Sequence, residues 1–103
     1  MAILENLENM LAAGEDSSLL RFGLGQAYLN LKNFDQAILH LKKCLEFDAN
    51  YSAAWKLLGK AHTAQNQIEQ ALVAYEQGIR VAEQQGDMQT AREIQVFRKR
   101  LNK

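Results

Sequence analysis

The feature that most constrains this chain is a repeat at a spacing of 34 residues. Residues 18–51 and 52–85 align without a gap and share six identical positions. Self-similarity at this period is typical of helical arrays, in which each unit buries an apolar face against its neighbours. Half of the identities fall where two helices would touch; they pair Leu24 with Leu58, Gly25 with Gly59 and Ala27 with Ala61.

Each copy predicts two helices joined by a short turn. Apolar residues recur every three or four positions in both halves of a copy, as they do on one face of a helix. Asn33 predicts the cap of a second helix, Asn66 marks the matching turn, and Gly86-Asp87 predicts a left-handed stop followed by a new cap. The chain has no proline and is rich in helix-forming residues. These patterns predict an all-α fold.

The two repeated glycines predict a close approach between helices. Gly25 and Gly59 lie in the middle of helical patterns, where glycine costs about 1 kcal/mol relative to alanine. A chain bears this cost when no side chain fits between two backbones. We therefore expect the two helices of each copy to pack closely and antiparallel.

The spacing of these residues resembles the tetratricopeptide repeat, whose pattern is W-x2-L-G-x2-Y followed by A-x3-F. The resemblance covers residues 18–85. It implies an α-solenoid of antiparallel helix pairs with about six helices in all. The second copy supplies the pattern as Trp55, Leu58, Gly59, His62, Ala71 and Tyr75.

The predicted organisation is a single domain that starts and ends with incomplete units. Residues 1–16 match the second half of a repeat, with an apolar stripe of Ile3, Leu7 and Met10. Residues 18–51 and 52–85 form the two repeats. Residues 87–103 form a helix that lacks the Leu-Gly pair and resembles the capping helix of a solenoid.

Arg21 is the main departure from the family pattern, because it stands where Trp55 stands in the second copy. Two alternatives are open. Its aliphatic stem packs on the first helix with the guanidinium group in water, or the first repeat is open at this point.

No residue set predicts catalysis, a cofactor or a metal. Gly59-Lys60 lacks the G-x4-G-K-[ST] spacing and the preceding strand of a phosphate loop. His40 and Cys44 share a helix face, but structural zinc needs four ligands. His62 occupies the place of an aromatic residue at a helix seam. We therefore expect a protein that is not an enzyme.

The resemblance implies that the first helix of each pair lines a concave groove. Three residues of the last helix, Thr90, Ile94 and Phe97, are candidates to extend this groove. Phe22 and Leu29 are apolar where the core does not need them, and two lysines one turn apart repel unless an anion lies between them. The predicted peptide-binding residues are Phe22, Gln26, Leu29, Asn30, Lys56, Lys60 and Thr63.

Charge is balanced overall but divided between the ends. Residues 1–16 carry four acids and no base, whereas residues 92–103 carry five bases and one acid. The alternatives for this division are two solvated helices, an end-to-end attraction or a basic docking tail. The zero net charge does not favour nucleic acid or membrane partners. A single cysteine favours a cytoplasmic location.

These observations favour an adaptor that binds a peptide segment of a partner protein in its concave groove. The partner peptide would carry apolar and acidic groups. The alternative is a self-assembling or subunit role, in which exposed repeat ends form a homo-oligomer. The sequence favours a monomer but leaves the oligomeric state and the partner open.

Overall fold

The computed structural model describes residues 2–101 and folds them into six α-helices without a strand. The prediction of an all-α helical repeat is therefore confirmed. The helices are α1 (Ala2–Ala12), α2 (Ser18–Asn30), α3 (Phe34–Phe47), α4 (Ser52–Ala64), α5 (Ile68–Gln84) and α6 (Met88–Leu101).

Local side-chain chemistry fixes where the helices begin. The side chains of Ser17 and Asn33 accept hydrogen bonds from backbone amides three residues on, at the starts of α2 and α3. Asp87 does the same for α6 and also accepts from the hydroxyl of Thr90. Each contact satisfies an amide that has no partner within its helix. The predicted caps at Asn33 and Asp87 are confirmed.

The turns inside the two copies have the same backbone conformation. Lys32 and Asn66, which are 34 residues apart, have φ angles of 61° and 60°. Such values are uncommon outside glycine. Gly86 has a φ of 74°, as its predicted left-handed stop requires. The repeat is therefore visible in the backbone as well as in the side chains.

The two helices of each copy meet at its mid-helix glycine. A Cβ atom on Gly25 would lie 2.6 Å from Cγ of Leu41, and one on Gly59 would lie 2.8 Å from Cζ of Tyr75. Both distances are too short for real atoms. Because Leu41 and Tyr75 are almost completely buried, neither side chain has free space to move into.

The core runs along the helix pairs as two apolar clusters. One joins α3, α4 and α5, and the other joins α5 to α6. The first contains Leu41, Cys44, Leu45, Ala54, Leu57, Leu58 and Ala74. The second contains Ala71, Tyr75, Ile79 and Ile94.

Two of the three residues in the predicted apolar stripe of the first helix are not covered by another helix within the described residues. Ile3 and Met10 are exposed, at 72% and 39%. Leu7 is half-buried, and a Cβ on Gly23 of α2 would lie 3.3 Å from its Cδ1 atom. The 34-residue offset gives the angular position of a residue on its helix, but burial also requires a helix on that side. Among residues 2–101, no helix covers the side of Ile3 and Met10.

The division into a half repeat, two repeats and a cap stays a prediction. Residues 1, 102 and 103 lie outside the described residues, so one of the five bases counted in residues 92–103, Lys103, is not placed. No described helix is long and apolar enough to cross a membrane.

We predict that Gly59→Ala destabilises the protein in spite of its better helix propensity. The new methyl group would overlap the buried Tyr75 ring, and overpacking of a core costs about 1–3 kcal/mol. Gly23→Ala is the matched control, because its methyl group would meet only the end of the Leu7 side chain, at 3.3 Å. Urea unfolding checks the pair. Equal stability of the two variants would contradict the close approach at Gly59.

Candidate functional site

The helices are arranged so that the chain has two different faces. α2 contacts α4, and α4 contacts α6, so these three helices lie side by side. Among the described residues, α3 and α5 have no pair of Cα atoms within 8 Å of each other. The array is therefore closed on the side of α2, α4 and α6, which we call the inner face. It is splayed on the side of α3 and α5.

In α2, the predicted groove residues divide into packed and exposed positions. The Phe22 ring stacks on Tyr51 with centroids 4.7 Å apart and an interplanar angle of 17°. Phe22 and Leu29 both pack against the first core cluster, so the expectation that the core does not need them is wrong. Gln26 and Asn30 are exposed. Only the two amides are thus fully available to a ligand, although the apolar pair borders them.

In α4, the predicted groove lysines are directed towards α6. Nζ of Lys56 lies 3.1 Å from Oε1 of Glu93, and this ion pair is partly exposed. Nζ of Lys60 lies 5.1 Å from the centre of the Phe97 ring, within the range of a cation–π contact. The carboxylate of Glu93 thus already occupies part of the place that the sequence suggested for an anion from a partner.

The third α4 residue, Thr63, uses its hydroxyl group inside the protein. Its Oγ1 atom donates a hydrogen bond of 2.8 Å to the carbonyl oxygen of Gly59. Oγ1 of Thr63 also lies 3.4 Å from the hydroxyl oxygen of Tyr75. Thr63 therefore supports the glycine seam from the inner face.

The residues expected to extend the groove along α6 have other roles. Ile94 is completely buried in the second core cluster, so its expected place in the groove is wrong. Thr90 donates hydrogen bonds from its amide and its hydroxyl to the Asp87 cap of α6. Phe97 is half-buried and stacks near Tyr75, with ring centroids 6.1 Å apart. α6 is rotated so that Ile94 faces α5 rather than the groove, whereas the Phe97 ring also borders the inner face beside Lys60.

A cleft that the sequence did not predict lies between the splayed helices. It has a volume of about 750 Å³, and α4 forms its floor. Leu45 and Leu58 make its base apolar, Trp55 is half-buried in its wall, and Val73 is 58% exposed at its edge. We call it the outer cleft. Its lining is Lys42, Leu45, Glu46, Ala49, Trp55, Leu58, His62, Glu69, Gln70, Val73 and Ala74.

Trp55 also fastens α4 to the turn before it. Its Nε1 atom donates a hydrogen bond of 2.8 Å to the carbonyl oxygen of Ala49. Arg21 does the corresponding work at the start of α2. Its guanidinium group binds both carboxylate oxygens of Asp16, at 2.8 Å and 2.9 Å. A two-point contact of this kind is stronger than a single hydrogen bond.

Neither alternative proposed for Arg21 describes this arrangement. Its side chain is only 13% exposed, so the guanidinium group is not in water and the repeat is not open there. A third contact of 3.0 Å joins this group to Nδ1 of His40. Because arginine only donates, Nδ1 accepts and carries no proton.

His40 is the centre of a small polar network between α1, α2 and α3. Its ring stacks on Tyr28, with centroids 5.5 Å apart and an interplanar angle of 3°. The Tyr28 hydroxyl donates a hydrogen bond of 2.6 Å to Glu8. Burial and the nearby charge of Arg21 lower the pKa of His40 below its usual value. The hydrogen bond to Glu8 raises the pKa of Tyr28. The network therefore holds a neutral imidazole and a protonated phenol.

The other candidate reactive groups have structural surroundings. Burial raises the pKa of the Cys44 thiol to about 11, so the reactive thiolate is scarce at neutral pH. Nδ1 of His62 lies 2.7 Å from Oε1 of Gln67, at the start of α5. Within residues 2–101, no cluster of His, Cys, Asp and Glu has the arrangement that would hold a metal ion.

A helical-repeat protein with an inner face and a splayed outer side is the class that this geometry defines. The family model described as Tetratricopeptide repeat matches residues 32–94, which is more than half of the chain. The chain belongs to the tetratricopeptide repeat family, and the resemblance carried by its Leu-Gly spacing is confirmed.

Relatives of similar length support this assignment. The chain is 46% identical over 101 residues to the TPR repeat-containing protein PA0015 of Pseudomonas aeruginosa; the match covers 98% of this chain and 96% of that protein. It also resembles the solution structure of protein BPP2914 from Bordetella parapertussis, with 47% identity and a TM-score of 0.87, over 99% of this chain and 89% of that one.

A more distant structure has the same fold. The solution structure of a tetratricopeptide repeat domain protein from Salinibacter ruber is 27% identical, with a TM-score of 0.76, over 84% of this chain and 90% of that one. Repeats of this family suggest a protein–protein interaction module.

We predict that His40 makes stability depend on pH. Because its pKa is lowered in the folded state, the unfolded chain binds more protons once the pH falls below about 6.5. This contribution is fully present above about pH 6.5. It is lost as the pH falls towards the lowered pKa, by at most about 1.4 kcal/mol per pH unit.

Urea unfolding at about pH 7.5 and about pH 5.5 measures this effect. The comparison uses the wild type and His40→Gln, which keeps an acceptor for Arg21 but does not titrate. All other titrating groups are the same in both proteins. We expect the wild type to lose more stability. An identical loss in both proteins would contradict the role given to His40.

Proposed function

We propose that this protein is a non-enzymatic adaptor that binds a peptide segment of a partner protein on its inner face. The observation that carries the proposal is the side-by-side contact of α2, α4 and α6. This contact joins the exposed side chains of successive helices into one surface. A surface of this kind suits an extended or a helical peptide, which both need contacts repeated along their length.

The accessible groups of the inner face favour a polar peptide with an acidic residue. Gln26 and Asn30 are exposed amides that both donate and accept hydrogen bonds. Lys60 is an exposed cation that lies over the Phe97 ring, and no carboxylate within residues 2–101 forms an ion pair with it. Phe22 and Leu29 offer apolar contact beside them. We therefore propose that Lys60 makes the main contact with an acidic residue of the peptide. Lys56 contributes less, because the peptide would first have to displace the carboxylate of Glu93 from it.

The outer cleft is a second candidate for the same function, and its shape is what favours it. A volume of about 750 Å³ with an apolar base lies in the range of ligand-binding pockets. The exposed Val73 and the half-buried Trp55 would meet an apolar anchor. Lys42, Glu46 and Glu69 at the rim would meet polar groups of either sign.

Two charge reversals on opposite faces test which surface binds. Lys60→Glu changes the inner face and Lys42→Glu changes the rim of the outer cleft; both lysines are exposed. Peptides selected from a random display library against the wild type are titrated into both variants by calorimetry. For acidic peptides at low salt, we expect Lys60→Glu to weaken binding by about threefold to tenfold and Lys42→Glu to leave it unchanged.

The opposite ranking would move the site to the outer cleft. Failure to select any peptide, or equal binding by the wild type and both variants, would contradict peptide binding on either face.

A further inference from the structure

The side of α1 that carries Ile3 and Met10 is apolar and uncovered. The two side chains are 72% and 39% exposed, and their spacing of seven residues puts them on one face of the helix. We call this pair the α1 open face. Exposed single apolar residues are ordinary, but two on one face next to the packed Leu7 form a continuous strip.

The same protein contains a direct comparison for this face. The residues 34 positions after Ile3 and Met10 are Ala37 and Cys44 of α3, and both are completely buried. α2 covers Ala37, since a Cβ on Gly25 would lie 3.5 Å from its carbonyl oxygen. Cys44 lies in the core cluster that α3 shares with α4 and α5. The face that is open in α1 is therefore a face that neighbouring helices cover in α3.

At the other end of the chain, α6 presents a basic outer face. Ala91 and Ile94 are completely buried against α5, whereas Arg92, Val96 and Lys99 are exposed on the opposite side. Val96 is 49% exposed and lies between the two cations along the helix. Among residues 2–101, neither Arg92 nor Lys99 is in an ion pair. We call these three residues the α6 outer face.

The charges of the two ends determine which pairing is favourable. Residues 1–16 have a net charge of −4 and residues 92–103 a net charge of +4. Asp16 is paired with Arg21, so Glu5, Glu8 and Glu15 keep the first end acidic. Two copies of α1 would bring like charges together, and so would two copies of α6. Pairing of the α6 outer face with the α1 open face brings the basic and the acidic ends together and covers Ile3 and Met10 with Val96.

We propose that copies of this chain associate head to tail, with the α6 outer face of one copy seated on the α1 open face of the next. The inference does not depend on the proposed function, because it uses neither the inner face nor the outer cleft. The interface joins two different patches, so it leaves one free patch at each end and allows further copies to add.

The contact is weaker than the seams inside the chain. Arg92 and Glu93 stand where the repeats have Leu-Gly, so the helices meet at a larger distance. Exposed charges are screened, since the Debye length falls from roughly 10 Å at 0.1 M salt to roughly 3 Å at 1 M. The association therefore depends on both concentration and salt.

Two variants of the full chain test this proposal by sedimentation equilibrium. Ile3→Lys/Met10→Lys makes the α1 open face basic, and Arg92→Glu/Lys99→Glu makes the α6 outer face acidic. For the wild type at about 0.1 M salt we expect an average mass that rises with concentration, and a smaller rise at about 1 M. Each variant alone opposes like charges at its interface and should weaken association by at least about tenfold.

Mixing the two variants distinguishes this interface from other modes of association. The basic α1 of one variant is complementary to the acidic α6 of the other, and the two remaining faces are the unchanged wild-type pair. The mixture should therefore recover the association that each variant alone has lost, with the two variants alternating in the complex. Leu39→Lys is the matched control, because it replaces an exposed apolar residue of α3, 51% exposed, away from both ends. It should associate like the wild type.

Three results would overturn the proposal. The first is a wild-type protein that stays monomeric up to about 1 mM at 0.1 M salt, because a dissociation constant above this value is too weak for a specific interface. The α1 open face would then bind a different protein or none. The second is undiminished association of either variant alone. The third is a mixture of the two variants in which association is not recovered. Circular dichroism confirms beforehand that each variant is folded.

Discussion

The close contact between a glycine and a large side chain is the constraint on which the rest of this structure depends. Gly59 leaves the space that the Tyr75 ring fills. Because the ring is held there, it is also available to stack near Phe97 and to join the cluster that buries Ile94. The position of α6 therefore follows from a glycine in α4. In the first pair, Gly25 leaves the space that Leu41 fills. Leu41 in turn belongs to the core cluster that contains the buried apolar residues of α4.

The starts of α2 and α4 show two chemical solutions to one structural problem. Each first helix must be tied to the turn before it. Trp55 does this with an indole hydrogen bond to a backbone carbonyl and apolar packing. Arg21 does it with a carboxylate, Asp16, and a neutral imidazole, His40. The guanidinium group of Arg21 has hydrogen-bond partners in Asp16 and His40. A buried charge is tolerated when it is paired and hydrogen-bonded in this way.

The sequence predicted the fold because its strongest signals are local. Asn33, Gly86 and Asp87 act on backbone groups within three residues, so their roles follow from neighbours along the chain. The 34-residue repeat also predicted which faces of the two helices meet within each pair. The sequence was a weaker guide for side chains whose surroundings depend on a helix outside their own pair. Ile94 was expected in the groove and is buried, because α6 turns this side chain towards α5.

The candidate site was harder to predict for the same reason. The sequence placed Lys56 beside a free anion site, but it could not show that Glu93, 37 residues away, supplies a carboxylate. It could not foresee the outer cleft, since the cleft results from the separation of α3 and α5 and has no residue pattern of its own. Trp55 was a usable signal, because a tryptophan at a helix seam is rarely buried on every side.

Amide hydrogen exchange, followed residue by residue at several protein concentrations, tests the account most directly. If the glycine seams carry the stability and the ends are open, exchange is slow around Leu58 and Tyr75 at every concentration. Exchange in α1 is then fast in dilute protein, and its protection rises as the concentration is raised. Protection of α1 in dilute protein equal to that around Leu58 would contradict both statements.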